Sequence, residues 1–251
     1  MATSNFLNPT KTSIFAVCIT RNTPFRQKSV EAAIAAFDAQ DYPGPRRMLI
    51  VGDKTLPVFV KHKKTTKLHC LHVPDNVYSL GELRNLAKTY VGILCSREKR
   101  THHVVHWDDD DFSHPDRLTL QVAATPLHGV STMYRTVRYS FQNNFALTGG
   151  DGLYGDLGTL MYPASVPVCF TKSPQNIAEK FAKSLAKAET PVHTVLIDPA
   201  MCVRTHQADS VTSYTKFIAN NQSTRHMTSA EQLYLQFVLG KSFGFVKSKF
   251  G

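Results

Sequence analysis

"VVHWDDDDFSHPDRL", residues 104–118, carries an apolar, strand-like run straight into four consecutive aspartates, Asp108 to Asp111. Adjacent carboxylates disfavour one another's ionised forms, so a cluster placed at the end of a buried strand needs water, protonation or a cation as compensation. A solvated turn satisfies that need, and so does a divalent metal holding an anionic ligand. The neighbouring sequence decides between them.

Upstream, "SIFAVCIT" (13–20) reads as a buried strand, short and rich in β-branched and aromatic residues. Thr23 and Pro24 end it, and Val30, Ala33, Ile34 and Phe37 then fall at i, i+3, i+4 and i+7, the apolar stripe of a helix packed on a sheet. "DYPGP" stops that helix, and "RRMLIVGD" supplies a second strand closing on Asp53. Within 54–78 only "KLHCLHV" (67–73) has strand character. Ser79 and Glu82 have the spacing of a capping box, with Leu83, Leu86, Ala87 and Tyr90 as the apolar face of the following helix, and "THHVVHW" is the next strand. Strand and helix alternate, the pattern of a doubly wound, mainly parallel sheet. Ligands of such sheets sit beyond the carboxyl ends of the strands. Thr20 to Asn22, Asp53 and Asp108 to Asp111 all fall at those ends, which favours the metal over the solvated turn.

Downstream the pattern weakens. "HGVSTMYRTVRYSF" is strand material, "NNFALTGGDGLYGD" a Gly- and Asn-rich loop, and "LGTLMYPASV" a further strand. "SPQNIAEKFAKSLAKAE" is a helix opened by Ser173 and Pro174, with Ile177, Phe181 and Leu185 four apart. "HTVLIDPAMCVRTH" adds one or two strands, and "TSAEQLYLQFVLGK" closes the chain as a helix with a Ser229 to Gln232 capping box.

With 251 residues, 42% of them hydrophobic, the chain can bury one large core, and a single domain is expected over 1–251. There is no apolar run long enough for a membrane span, and "MATSNFLNPTKTS" lacks the apolar centre of a secretory signal; a soluble, cytoplasmic protein is the expectation. The five cysteines (18, 70, 95, 169 and 202) show neither zinc-site pairing nor an even count, so reduced and mostly buried thiols are expected. A formal charge of +10 favours an anionic partner without naming it.

The ordered set "CITRNTP", "AAFDAQDYPGPRRMLIVGD", "SLGELRNLAK" and "WDDDDFSHPDRL" resembles the nucleotide-sugar-binding half of family-2 glycosyltransferases of the GT-A fold. The likeness is close over 13–120 and looser over 155–213. It implies a GT-A-like α/β fold, with a doubly wound, mixed but mainly parallel sheet flanked by helices. In that division 13–120 holds nucleotide sugar and metal, 121–213 receives the acceptor, and 214–251 forms a C-terminal helix and basic tail. The implied activity is that of a hexosyl- or pentosyltransferase, moving a sugar from a nucleoside diphosphate donor bridged by Mn2+ or Mg2+. Matched by motif, Asp108 and Asp110 take the D-x-D positions, with Asp110 the direct metal ligand and Asp108 or Asp109 on ribose or metal-bound water. Thr20, Asn22 and Asp53 would flank the nucleobase, and Arg84 and Asn85 the nucleotide. His206 matches a late histidine that reaches metal or diphosphate in similar enzymes. Hard oxygen ligands suit either ion, which would stabilise charge on the departing diphosphate.

One departure stands out. Family members carry a Glu-Asp pair before a helix of the acceptor half, the aspartate acting as base in inverting enzymes; here the pair is Glu179-Lys180. Glu179, or Asp156 or Asp151 in the Gly-rich loop, would have to serve. Basic residues in 61–69, 97–103 and the tail (Lys241, Lys247, Lys249) read as solvated loops or as contacts to an anionic polymer acceptor such as DNA bearing a hydroxylated base. Tyr134, Tyr139, Phe141 and Tyr154 could then stack on bases. A glycan or protein acceptor is equally open, as is the oligomeric state. Two other classes compete: a non-catalytic nucleotide-sugar- or nucleic-acid-binding protein of the same fold, and a metal-dependent phosphohydrolase. The second would leave Thr20 to Asn22, Asp53 and Arg84 unexplained.

Overall fold

The computed structural model describes residues 5–61, 67–96, 98, 100–134, 136–140, 145–149, 156–172, 177–188, 190, 192–196, 202–206 and 228–229. In chain order the elements begin β1 (Thr12–Ile19), α1 (Pro24–Asp38), β2 (Arg46–Gly52), α2 (Pro57–Lys61), β3 (Leu68–His72), α3 (Leu80–Cys95) and β4 (Thr101–His106). They continue as β5 (Asp111–Ser113), α4 (Arg117–Ala123), β6 (Val130–Met133), β7 (Thr136–Ser140), β8 (Phe145–Gly149), β9 (Asp156–Pro163), α5 (Ile177–Lys187), β10 (Val192–Val195) and β11 (Cys202–His206).

A seven-stranded sheet has the order β10-β6-β9-β4-β1-β2-β3. Its strands β3, β2, β1 and β4 pair in parallel, as do β6 and β10, while β9 is antiparallel to both β4 and β6. The sheet is therefore mixed but mainly parallel, and helices cover both of its faces. On one face Ile14, Ala16, Cys18, Met48, Ile50, Val105 and Trp107 pack against the α1 stripe Val30, Ala33, Ile34 and Phe37 and against Leu118 and Val122 of α4. On the other, Phe15, Val17, Leu49, Val51 and Val104 meet Ala87, Val91 and Cys95 of α3 and Phe181 and Leu185 of α5. Burial on both sides explains why these strands read as continuous apolar runs. Each fully buried large aliphatic or aromatic side chain contributes about 1.5–3 kcal/mol, which offsets the ordering entropy of the chain.

The local signals behave as their chemistry predicts. Thr23 caps α1, its hydroxyl accepting from the Arg26 amide, with proline in the first turn. Ser79 and Glu82 form the reciprocal capping box of α3. Two expectations need correction. The buried side of α3 is Gly81, Arg84, Ala87, Val91 and Cys95, whereas Leu86 is exposed, because the helix is rolled to seat Gly81 against Thr171. A Cβ on Gly81 would lie 1.9 Å from the Thr171 carbonyl oxygen, an approach only glycine permits. The Gly- and Asn-rich stretch read as a loop contains β8 and runs into β9. There β8 belongs to a second, four-stranded sheet, β5-β11-β7-β8, whose pairing overrides weak local strand propensity. The C-terminal helix with its Ser229 to Gln232 box lies outside the described residues, apart from Thr228 and Ser229.

Candidate functional site

The aspartate run leaves the sheet on a rigid mount. Trp107, 2% exposed, donates its indole N–H to the Ala33 carbonyl at 3.1 Å and meets Phe37 edge-on. Arg117, 1% exposed, lies over the Trp107 ring and donates to Ser113 Oγ at 2.7 Å and to the His106 carbonyl at 3.2 Å. Gln40 at the end of α1 bonds the His114 carbonyl and the Leu118 amide, so both flanks of the turn are tied to the first helix. β5 then enters the second sheet, with Asp111 paired to Arg204 of β11.

Within the turn the four aspartates part company. Asp109 points inward at 4% exposure. Its Oδ2 accepts from the Thr20 hydroxyl at 2.6 Å and its Oδ1 from the Arg26 guanidinium. The same guanidinium nitrogen reaches Asp110 Oδ2 at 3.0 Å. Asp111 is buried as well, whereas Asp108 and Asp110 are half-buried at the sheet edge. Burial first, then the neighbouring charge of Asp110, pushes the Asp109 carboxyl upward, against Arg26 and Thr20. The field extends into the sheet: the Cys18 thiol is pushed well up by burial, then by Asp109, Asp108 and Asp110.

Thr20, read from sequence as flanking a nucleobase, is thus 5% exposed and spent on Asp109, and Asp109 itself braces the loop. Arg26 was not singled out from sequence. One signal was available: a cation in the first turn opposes the helix dipole and needs an external reason to be there.

Beside this loop the ends of β1, β2 and β3 share a polar network. The Asn22 amide donates to Asp75 Oδ2 at 3.0 Å, its carboxamide donates to Thr55 Oγ1, and it accepts from Gln27 Nε2 at 2.7 Å. Asp53 Oδ1 accepts from the Thr55 amide at 2.9 Å and hydroxyl at 2.6 Å. Those hydrogen bonds hold the Asp53 carboxyl below its ordinary value. Gly52 lets β2 close on Thr20, whose carbonyl would stand 2.9 Å from an added Cβ. Asp75, also missed from sequence, is followed by Asn76 at φ 61°, a left-handed turn that asparagine tolerates.

Arg84 is 8% exposed, with its guanidinium over the Phe170 ring at 5.5 Å. Asn85 both donates to the Phe170 carbonyl and accepts from its amide, each at 2.8 Å, so its carboxamide is committed to that segment. Lys88 adds bonds to the Val166 and Val168 carbonyls, and Lys172 pairs with Glu82 at 2.9 Å. α3 therefore clamps 166–172, and Phe170 stacks on Phe181 of α5 at 3.9 Å.

In the second half, backbone placement speaks. β11 runs antiparallel to β5, and His206 stands two residues beyond Arg204, the partner of Asp111. Asp156 opens β9, which is antiparallel to β4, so it lies at the edge where β4 ends. Glu179 falls in the first turn of α5, followed by an exposed Lys180. Tyr134 is half-buried. Asp151, Phe141, Tyr154, most of the basic stretch 61–69 and the tail lysines lie outside the described residues.

Among the described residues no three His, Cys, Asp or Glu side chains gather as a closed metal cage. The donor set still fits a hard divalent cation, because Mg2+-type sites draw on one or two carboxylates and complete their shell with water and substrate phosphate. Asp108 and Asp110, half-buried at the carboxyl end of β4, are the carboxylates that would hold such an ion. All five cysteines are free, with Cys18, Cys95 and Cys202 buried and Cys169 exposed. Among the described residues no helix is long and apolar enough to cross a membrane.

No family profile and no curated protein matches this chain. Solved structures do. The mannosyltransferase PcManGT from Pyrobaculum calidifontis, in complex with GDP-Man and Mn2+, is 14% identical across 98% of this chain and 71% of its own, with a TM-score of 0.56. Residues 1–349 of TarS from S. aureus, in complex with UDP-GlcNAc, are 14% identical across 94% of this chain and 73% of that one, with a TM-score of 0.51. At such identity the likeness is one of fold: the chain has a GT-A-like α/β architecture.

Proposed function

We propose that this chain is a metal-dependent glycosyltransferase that moves a sugar from a nucleoside diphosphate to an acceptor hydroxyl with inversion. The observation that carries this reading is the aspartate turn, held by Trp107, Gln40 and Arg117 so that Asp108 and Asp110 stand at the carboxyl edge of β4. The ends of β1 and β2 open onto the same edge, where ligands of such sheets sit. The fold shared with proteins solved with GDP-Man and Mn2+ or with UDP-GlcNAc supports it.

In this reading Asp110 and Asp108 hold Mn2+ or Mg2+ and His206 approaches the same place from β11. The bound ion would act as a Lewis acid toward the charge that develops on the leaving diphosphate. Asn22, Asp53 and Asp75 line the nucleobase end, while Arg84 and Asn85 support that wall through Phe170. A carboxylate of the acceptor half, Glu179 or Asp156, takes the acceptor proton as its oxygen bonds to the anomeric carbon and the bond to the diphosphate breaks. Residues 13–120 thus serve the donor and 121–213 the acceptor.

Calorimetric titration of a panel of nucleoside diphosphate sugars with Mn2+ tests this. Asp110→Ala should lower donor affinity about 100-fold or more while the circular dichroism spectrum is unchanged. Equal affinity in variant and parent removes the metal assignment. The exposed Lys180, in the place of the family's base, favours a second reading, a donor-binding protein without turnover. Release of free sugar or transfer by the Mn2+-loaded chain excludes it. A DNA acceptor predicts retention on duplex or single-stranded DNA that falls steeply between low and physiological salt; no retention at low salt excludes that acceptor.

A further inference from the structure

The aspartate turn engages Asp108 and Asp110 in the proposed reaction and leaves the Arg26 contact without a task. Arg117 and Arg26 both bond to the segment that carries the four successive aspartates. Arg117 is turned onto Trp107, Ser113 and the His106 carbonyl. Arg26 instead places one nitrogen between two carboxylates, bonded to Asp109 Oδ1 and 3.0 Å from Asp110 Oδ2.

These two contacts are not equivalent. Asp109's side chain is 3% exposed and its other oxygen is held by Thr20 at 2.6 Å, so it is anchored on both sides. Asp110's side chain is 14% exposed and lies toward the edge. The base of the Arg26 side chain is fixed as well, because its amide donates to Thr23 Oγ1 in the first turn of α1. Of the pair, only the Asp110 contact can change partner without dismantling buried structure.

We propose that Arg26 is a resident counter-cation of the donor site. It occupies the Asp110 side of the loop in the unloaded chain, yields Asp110 to the divalent ion and turns to the donor's diphosphate, thereby coupling the two binding events. This rests on the metal-dependent donor site proposed above. A guanidinium stays protonated throughout the accessible pH range, so it leaves a carboxylate only by moving. The ion alone must displace a permanent cation and leave it without that partner. With a nucleoside diphosphate present, the displaced guanidinium gains phosphate oxygens, a bidentate match for its planar fork. Each ligand therefore raises the affinity for the other by the same factor, as linkage requires.

The test is an electron paramagnetic resonance titration of Mn2+, with and without UDP or GDP, on the parent, Arg26→Gln and Arg26→Lys. Circular dichroism checks the fold of each. In the parent, Mn2+ alone should bind weakly and the diphosphate should tighten it. Arg26→Gln should bind Mn2+ alone about tenfold tighter and lose about tenfold of the coupling, since a competing unit charge beside a half-buried carboxylate is removed. Arg26→Lys, a point charge that cannot match the fork, should shift both quantities in the same direction by less, and it decides the matter if the glutamine variant does not fold. Mn2+ binding that is unchanged or weaker in the folded variant, with the parent still binding Mn2+ through Asp110, overturns the role of Arg26 alone. Failure of the parent to bind Mn2+ with either diphosphate overturns the donor-site reading and this proposal with it.

Discussion

The two ends of the central strands handle charge in opposite ways. At the amino-terminal end, Arg47 meets Glu98 at 2.6 Å and lies over the Phe15 ring, with the His69 and His102 rings packed against the same phenylalanine. At the carboxyl end, within a run of four aspartates, one nitrogen of Arg26 serves both Asp109 and Asp110. At one end a single carboxylate faces Arg47 and Arg100. At the other, two neighbouring carboxylates share one guanidinium nitrogen, and their mutual repulsion costs stability.

That contrast can be broken experimentally, most forcefully at Asp109. Its folded-state pKa is raised to about 7 by burial and then by Asp110, so between the unfolded value near 3.8 and pH 7 the folded chain keeps a proton that the unfolded chain has lost. Its stabilising contribution is full below the unfolded value and disappears as pH rises through 7. In chelator at pH 8, Asp109→Asn should therefore raise unfolding free energy, on the order of a few kcal/mol, in urea titrations, and by little near pH 4. A loss of stability at pH 8 would mean that the Arg26 ion pair outweighs burial.

The next effect has the opposite sign and sits toward the amino-terminal end of the strands. Burial holds fully enclosed His103 down at about 4, so it stays neutral while unfolded histidine protonates. Stability should then fall by about 3 kcal/mol as pH drops from about 6.5 to 4, with His69 and His102, also lowered chiefly by burial, acting in the same direction. His103→Leu should flatten the profile in that window, and an unchanged slope would locate the dependence elsewhere. Smallest is Glu98→Gln. The Arg47 hydrogen bond holds the Glu98 carboxyl below its usual value, so its contribution is present above about pH 4.5 and fades as pH falls. Because both side chains are a quarter exposed, the change should be about 0.5 kcal/mol at neutral pH and shrink with added salt.

Much of 13–120 was legible because its signals are local. The α1 stripe from Val30 to Phe37 is buried as its spacing required, and the Ser79 to Glu82 box caps α3. Leu86 misled because a helix rolls to suit its tightest contact, here Gly81 on Thr171, and periodicity does not record which face a backbone carbonyl will crowd. β8 was hidden because its strand character comes from its partner β7 and not from its own glycine-flanked residues.

By itself the sequence determined the alternation of strand and helix, and it put Asp53 and the aspartate run at strand ends, because turn chemistry, caps and apolar period are properties of a few neighbouring residues. Only the tertiary structure decided what each polar group faces. Thr20 went to Asp109 across 89 residues of chain, Asn85 to the Phe170 backbone, and Arg26 to the space between two carboxylates. Such pairings depend on burial and on distances between chain-remote atoms, and these exist only once the sheet has assembled.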